Sequence, residues 1–150
     1  MSETANRECH CIALRRAAAL LTTHYDRILS PCGIGVSQFS LLQNLRRLGV
    51  SNISRLAKRM RLERSTLTRN LKPLFDAGYV EDYAEAGNRD RQIAVSENGA
   101  VLLDEAAALW ESAQKDVKNA LGGKNLKALT RFLERLEGLR RPQDGGDSSG

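Results

Sequence analysis

No apolar run in this chain approaches the roughly 18 residues that a membrane-spanning helix needs. The opening MSETANRE also lacks an apolar stretch of signal-peptide length, so a cytoplasmic protein without membrane contact is expected. Cysteine is sparse. Cys9, Cys11 and Cys32 are too few and too clustered for a disulfide framework, and a reducing compartment would keep them as thiols. Catalytic signatures are missing too: no nucleophile stands at a recognisable spacing from a base, and there is neither a phosphate-binding glycine loop nor a His-Glu-x-x-His string. No enzyme is expected, and no cofactor is called for.

Zinc-ligand spacing is likewise lacking. Cys9, His10 and Cys11 with Cys32 offer three sulfurs and an imidazole, but residues two apart on a continuous helix point to different sides. No resident metal is expected; a frayed N-terminus that senses a soft metal or metalloid is kept as an alternative. His24 reads as a core or dimer histidine.

Acidic residues are nearly absent from one stretch. Between Arg46 and Lys72 the cations are Arg46, Arg47, Arg55, Lys58, Arg59, Arg61, Arg64, Arg69 and Lys72, and the only acid is Glu63. The chain as a whole carries +5 with a pI near 9.4, a balance that favours a polyanionic partner. Its 150 residues suffice for one well-filled core, and no composition break forces a second domain.

What the chain does contain is a succession of amphipathic helices. Ala13, Leu14, Ala17, Ala18, Leu21, Tyr25, Ile28 and Leu29 form one stripe, predicting a first helix over about 8–29 that Pro31 and Gly33 stop. A second helix is predicted from a cap at Ser37, burying Phe39, Leu41, Leu42 and Leu45 and ending at Gly49. Ser51 or Asn52 would cap a short third helix with Ile53, Leu56, Ala57 and Met60 inward. The stretch ERSTLTRNLKPLFDAG, 63–78, follows. Leu67, Leu71, Leu74 and Phe75 share one face of it, while Arg64, Ser65, Thr68, Arg69 and Lys72 lie off that face. Such hydroxyls and cations suit a DNA groove: Arg can bond two acceptors on a guanine edge, Ser and Thr can approach closely, and Lys meets phosphate as a point charge. Pro73 lies inside this helix, where a bend near 69–73 is expected.

Two short helices joined by a tight turn describe either a plain helical hairpin or a helix-turn-helix. The segment after Gly78 favours the second. Tyr79 to Tyr83 and Gln92 to Val95 alternate like strands around a basic, turn-forming tip from Gly87 to Arg91, the pattern of a wing. Beyond it, a long helix over about 97–121 carries Leu102, Ala106, Leu109, Ala113, Val117 and Leu121 on one face, with Trp110 beside it. Gly122 and Gly123 break it. A last helix, about 124–140, repeats Leu126, Leu129, Leu133 and Leu136 with Phe132 and Leu139 alongside. The long helices carry more apolar face than a small winged lobe can cover, which points to a homodimer. The resulting fold class is all-α with a small β-wing, a winged helix-turn-helix with long N- and C-terminal dimerisation helices. The lobe spans about 37–99, the dimerisation helices about 8–30 and 97–141 within a single domain 1–141, and 142–150 have the composition of a disordered tail.

The string ISRLAKRMRLERSTLTRNLKPLFDAGYV, 53–80, and the wing return RDRQIAVSENG, 89–99, resemble the MarR family of bacterial repressors, winged-helix homodimers on pseudo-palindromic operators. The resemblance covers roughly 9–140. Ser96 stands where the family usually has Thr, and Gly99 keeps its place. The family's wing carries an Asp-x-Arg; Arg89 matches the Arg, while Gly87 occupies the Asp position. The resemblance implies that Ser65, Thr66, Thr68 and Arg69 meet base edges or nearby phosphates, that Lys72 meets the backbone, and that Arg89 enters the minor groove. Arg64 and the wing's Arg91 complete the candidate DNA contacts.

Cys11, with Leu14 and Tyr25 after it, is similar to the start of the first helix in the organic-hydroperoxide-responsive branch of the family, where a cysteine at that place is the oxidised sensor. Arg15 and Val36 occupy the positions of two tyrosines that polarise the cysteine there. The sensing candidates are thus Cys11, Cys9, Cys32 and Tyr25, against the alternative that Cys11 is a small packed apolar residue. The sequence therefore predicts a DNA-binding regulator, a repressor released by thiol oxidation or by a small-molecule inducer. The alternative function is a winged-helix protein-interaction module without DNA contact, which salt dependence would separate.

Overall fold

The computed structural model describes residues 8–83 and 91–140. Among these residues six α-helices and three short strands follow one another in the order α1, α2, β1, α3, α4, β2, β3, α5, α6, with a 3₁₀ turn at Ser30–Cys32 after α1. This is the winged-helix class expected. The chain divides into two compact units, one ending at Ala113 and one beginning at Gln114. The predicted tail, 142–150, lies outside the described residues.

Helix α1, His10–Leu29, is free of Gly and Pro and rich in Ala and Leu, and Ser30 and Pro31 open the 3₁₀ turn that ends it. Of its predicted stripe only Tyr25 and Leu29 are buried. Ala13 and Ile28 are half-buried, and Leu14, Ala17, Ala18 and Leu21 are exposed.

Helix α2, Val36–Leu48, does not start at Ser37 as predicted. Ser37 is exposed inside the first turn, and the free amides are taken up elsewhere: Val36 N–H donates to Asp26 Oδ1 at 2.7 Å, and Gly35 N–H to Gln38 Oε1 at 3.2 Å. A carboxylate ten residues back, on α1, thus supplies the cap and the negative charge that a helix N-terminus favours. Position 35 must be small for this, since a Cβ there would lie 2.9 Å from Asp26 Oδ1.

Strand β1, Ser51–Asn52, was not predicted. It pairs antiparallel with β3, Gln92–Val95, which also pairs with β2, Val80–Asp82, giving the order β1-β3-β2 with Ser51 opposite Ile93 and Asp82 opposite Ile93. Asn52 caps α3, Ile53–Met60, its Oδ1 accepting Arg55 N–H at 2.7 Å, one of the two caps foreseen. Arg61, at φ 55°, turns the chain toward α4, Arg64–Asp76, which runs unbroken through Pro73.

Leu29, Ile34, Phe39, Leu42, Leu45, Leu56, Leu67, Leu71, Leu74, Ile93, Leu102 and Leu103 form one continuous core. It closes over α2, α3, α4, the sheet and the first turns of α5, Glu97–Leu121, where Trp110 stacks on Phe39 with ring centres 5.6 Å apart. Helix α6, Gly123–Glu137, buries no residue; Leu129, Phe132, Leu133, Leu136 and the following Leu139 are all exposed.

Candidate nucleic-acid interface

Helix α4 separates its two faces as the spacing requires. Leu67, Leu71 and Leu74 are buried to within 1% of full, while Arg64, Ser65, Thr68, Arg69 and Lys72 are exposed and Thr66 is half-buried. Burying three leucines, each contributing about 1.5–3 kcal/mol, fixes the rotation of the helix about its axis and so decides which side chains face outward. Phe75, in the last turn, is half-buried against the core.

Hydrogen bonding sorts the polar face further. Thr68 Oγ1 donates to the Arg64 carbonyl at 2.8 Å, which commits its proton and leaves its oxygen as an acceptor. Lys72 Nζ donates to Asp76 at 3.0 Å, a pair one turn apart on the exposed surface. Elsewhere in the basic stretch two arginines are structural. Arg46 bridges to Asp104 at 2.8 Å, joining α2 to α5, and Arg59 Nε donates to Asn44 Oδ1 at 3.0 Å, joining α3 to α2. The positive charge between 46 and 72 therefore serves the packing of the lobe as well as its field.

At the wing, Arg89, Gly87 and Asp90 lie outside the described residues. Arg91 is placed: its Nε donates to Asp82 Oδ2, and its guanidinium carbon sits 4.6 Å from the centre of the Phe75 ring. Tyr83 O–H donates to Glu81 at 2.8 Å, and this carboxylate raises the phenol above its ordinary range. The sequence reading makes Arg91 a DNA contact at the wing tip, whereas here it pairs with Asp82. The pairing with Asp82 depends on strand register, which the string alone does not give.

The wing return is anchored by Ser96 and Gly99. Ser96, 5% exposed, donates from Oγ to the Gly78 carbonyl at 2.6 Å and accepts Gly99 N–H at 3.0 Å, capping α5. It ties the turn that ends α4 to the start of α5, so α4, the wing return and α5 share one joint.

The sensing candidates do not converge. Cys9, the N-cap residue of α1, and Cys11 are exposed, whereas Cys32 is half-buried against the lobe core in the 3₁₀ turn. In the single chain Cys11 is thus not the packed apolar residue of the alternative reading. Tyr25 is buried, and burial raises its phenol. Among the described residues no three His, Cys, Asp or Glu side chains come close enough to share a metal ion. Among the described residues no helix is long and apolar enough to cross a membrane.

The MarR family model matches residues 34–89, from the approach to α2 through the wing segment. The M. tuberculosis transcriptional regulator MosR, in a structure of its complex with DNA, is 34% identical, covers 89% of this chain and 100% of its own, and superposes with a TM-score of 0.78. A second MosR structure gives 32%, 89%, 98% and 0.72. The chain belongs to the MarR family. Its fold also matches oxidised MarR from E. coli at 18% identity, over 87% of this chain and 96% of that one, with a TM-score of 0.65. No curated protein sequence matches. As a MarR-family member the chain is a transcriptional regulator of the DNA-binding, winged-helix type.

Proposed function

We propose that this protein is a repressor that binds a pseudo-palindromic operator as a homodimer and is released by thiol oxidation or by a small-molecule inducer. One observation carries the DNA half of the reading: α4 buries Leu67, Leu71 and Leu74 and turns Arg64, Ser65, Thr68, Arg69 and Lys72 to solvent, on a chain whose cations surround that helix. Ser65, Thr66, Thr68 and Arg69 would meet base edges or nearby phosphates, Lys72 the backbone and the wing's Arg89 the minor groove, with Arg64 as a further contact. MosR, a relative whose structure is a complex with DNA, supports the DNA binding itself.

The dimer rests on uncovered apolar surface. Ile12, Leu14, Leu20 and Leu21 on α1, and Leu129, Phe132, Leu133 and Leu136 on α6, are exposed in one chain, more than a monomer tolerates without a partner. A homodimer through these helices would present two reading helices to two half-sites. Release is assigned to Cys11, exposed in the first turn of α1 with Arg15 one turn on, where oxidation could link subunits or add a polar oxygen at a dimer helix.

Footprinting and gel shift on DNA flanking the protein's own coding region, with and without peroxide, test the whole. Binding that is specific, steeply salt-dependent and lost on oxidation is expected. Binding indifferent to salt would instead favour a protein-interaction module.

A further inference from the structure

We infer that Arg91 is a positioning residue that locks the base of the wing to the end of the reading helix through Asp82 and Phe75, so that an acidic residue strengthens DNA binding. The inference rests on the DNA-binding reading above. Asp82 lies opposite Ile93 in the β2–β3 ladder, and Arg91 stands two residues before Ile93, on the same face and within diagonal reach. Its Nε donates to Asp82 Oδ2, while its guanidinium carbon lies over the Phe75 ring, 4.6 Å from the ring centre, in the last turn of α4. One side chain thereby joins the start of β3, the end of β2 and the end of the reading helix.

Only a guanidinium does both tasks at once. It is flat enough to stack on an aromatic face and still donates from its edge, whereas an ammonium would serve either the ring or the carboxylate. The arrangement contributes little to global stability, because the Arg91 and Asp82 side chains are 49% and 30% exposed and such pairs are weak. What it fixes is direction. Among the described residues β2 holds Val80–Asp82, and Tyr83 N–H donates to the Gln92 carbonyl at 2.7 Å beyond it. At this end of the sheet β3 is held on its other side by β1, whereas β2 is an outer strand, and a side chain that reaches from Asp82 to Phe75 ties that strand to α4.

The sign of one substitution separates this role from a direct phosphate contact. An acid near DNA repels phosphate, so simple electrostatics makes Asp82→Asn bind more tightly. The brace makes it bind more weakly. The measurement is fluorescence anisotropy over a salt series, using a labelled duplex from the footprinted region. Compared are the unmutated full chain, Arg91→Ala, Arg91→Lys, Asp82→Asn and the reversal Asp82→Arg with Arg91→Asp. Thermal melts establish that each is folded.

The brace predicts that Asp82→Asn and Arg91→Ala each weaken binding about three- to fivefold with an unchanged salt slope. Arg91→Lys should fall between them and the unmutated chain, and the reversal should recover part of the loss although position 91 is then anionic. Tighter or equal binding by Asp82→Asn, with a slope reduced by about one in Arg91→Ala, would overturn the inference alone and make Arg91 a phosphate ligand. A reversal weaker than both single variants would overturn it as well. Absence of salt-dependent DNA binding by the unmutated chain would reject both this inference and the DNA reading beneath it.

Discussion

A Cβ placed on Gly99 would lie 2.3 Å from the carbonyl oxygen of Tyr79, closer than any side chain can approach a backbone atom. Gly99 stands in the first turn of α5 and Tyr79 directly after the turn that ends α4, so their contact sets the distance between the two elements. Ser96, bonded to both the Gly78 carbonyl and Gly99 N–H, holds them in register.

Gly99→Ala is therefore expected to destabilise the fold by about 1–3 kcal/mol, the usual cost of overpacking, although alanine is the better helix former. Gly123→Ala provides the contrast. Position 123, the first residue of α6, has no atom within 4 Å of a built Cβ, and the same change there should be neutral or slightly stabilising. Denaturant midpoints of the two variants at equal slope decide it; equal midpoints would mean the Tyr79 contact is not a constraint.

Much of this joint was legible in the string, and some of it was not, for identifiable reasons. The helices announced themselves because Leu67, Leu71 and Leu74 repeat at the period of a buried face, a local signal. Asp26 did not, because it caps α2 from ten residues away and no spacing rule links a carboxylate on one helix to the amides of the next. Strand β1 escaped because two residues cannot show alternation. Leu103 lies one step off the predicted stripe of α5 yet is fully buried, since the start of that helix enters the lobe core and buries a wider face. Arg91 was visible as a cation but its partners were not, because they depend on register.

Arg69→Ala should cost about 1–3 kcal/mol on a specific operator and relax discrimination at the base pair it meets. Lys72→Ala should weaken all sequences alike and lower the salt slope by about one, after allowance for the Asp76 pair it leaves. Titrations on the operator and on an unrelated duplex separate the two. Undiminished specific binding by Arg69→Ala would remove the outward face of α4 from the interface.

The dimer is tested on α6. Phe132 and Leu133 are 55% and 56% exposed in the single chain, and Leu133→Asp should shift the protein toward monomer in sedimentation at micromolar concentration. Because two linked half-site contacts gain from effective concentration, operator affinity should fall by about a hundredfold or more, and the footprint should shrink from two half-sites about 10 base pairs apart to one. An unmutated protein that sediments as a monomer would reject the arrangement outright.

The thiols give the last prediction. Cys11 and Cys32 are separated by most of α1, a helical span of roughly 30 Å at about 1.5 Å per residue, and a disulfide needs Cα atoms within about 7 Å. A Cys11–Cys32 bond within one chain is therefore not expected while α1 is intact, and oxidation must act through sulfur oxygenation at exposed Cys11 or through a bond between subunits. Cys32, half-buried against the lobe core, should react more slowly than Cys9 and Cys11. Operator binding of Cys11→Ser is to be followed across a peroxide titration beside the unmutated protein, with mass spectrometry reporting which sulfurs change. Binding retained by the variant at peroxide levels that release the unmutated protein is the expected result. Equal loss in both would remove Cys11 from the mechanism. No loss in the unmutated protein would move the trigger to a small-molecule inducer, to be sought by ligand-dependent release of the same duplex.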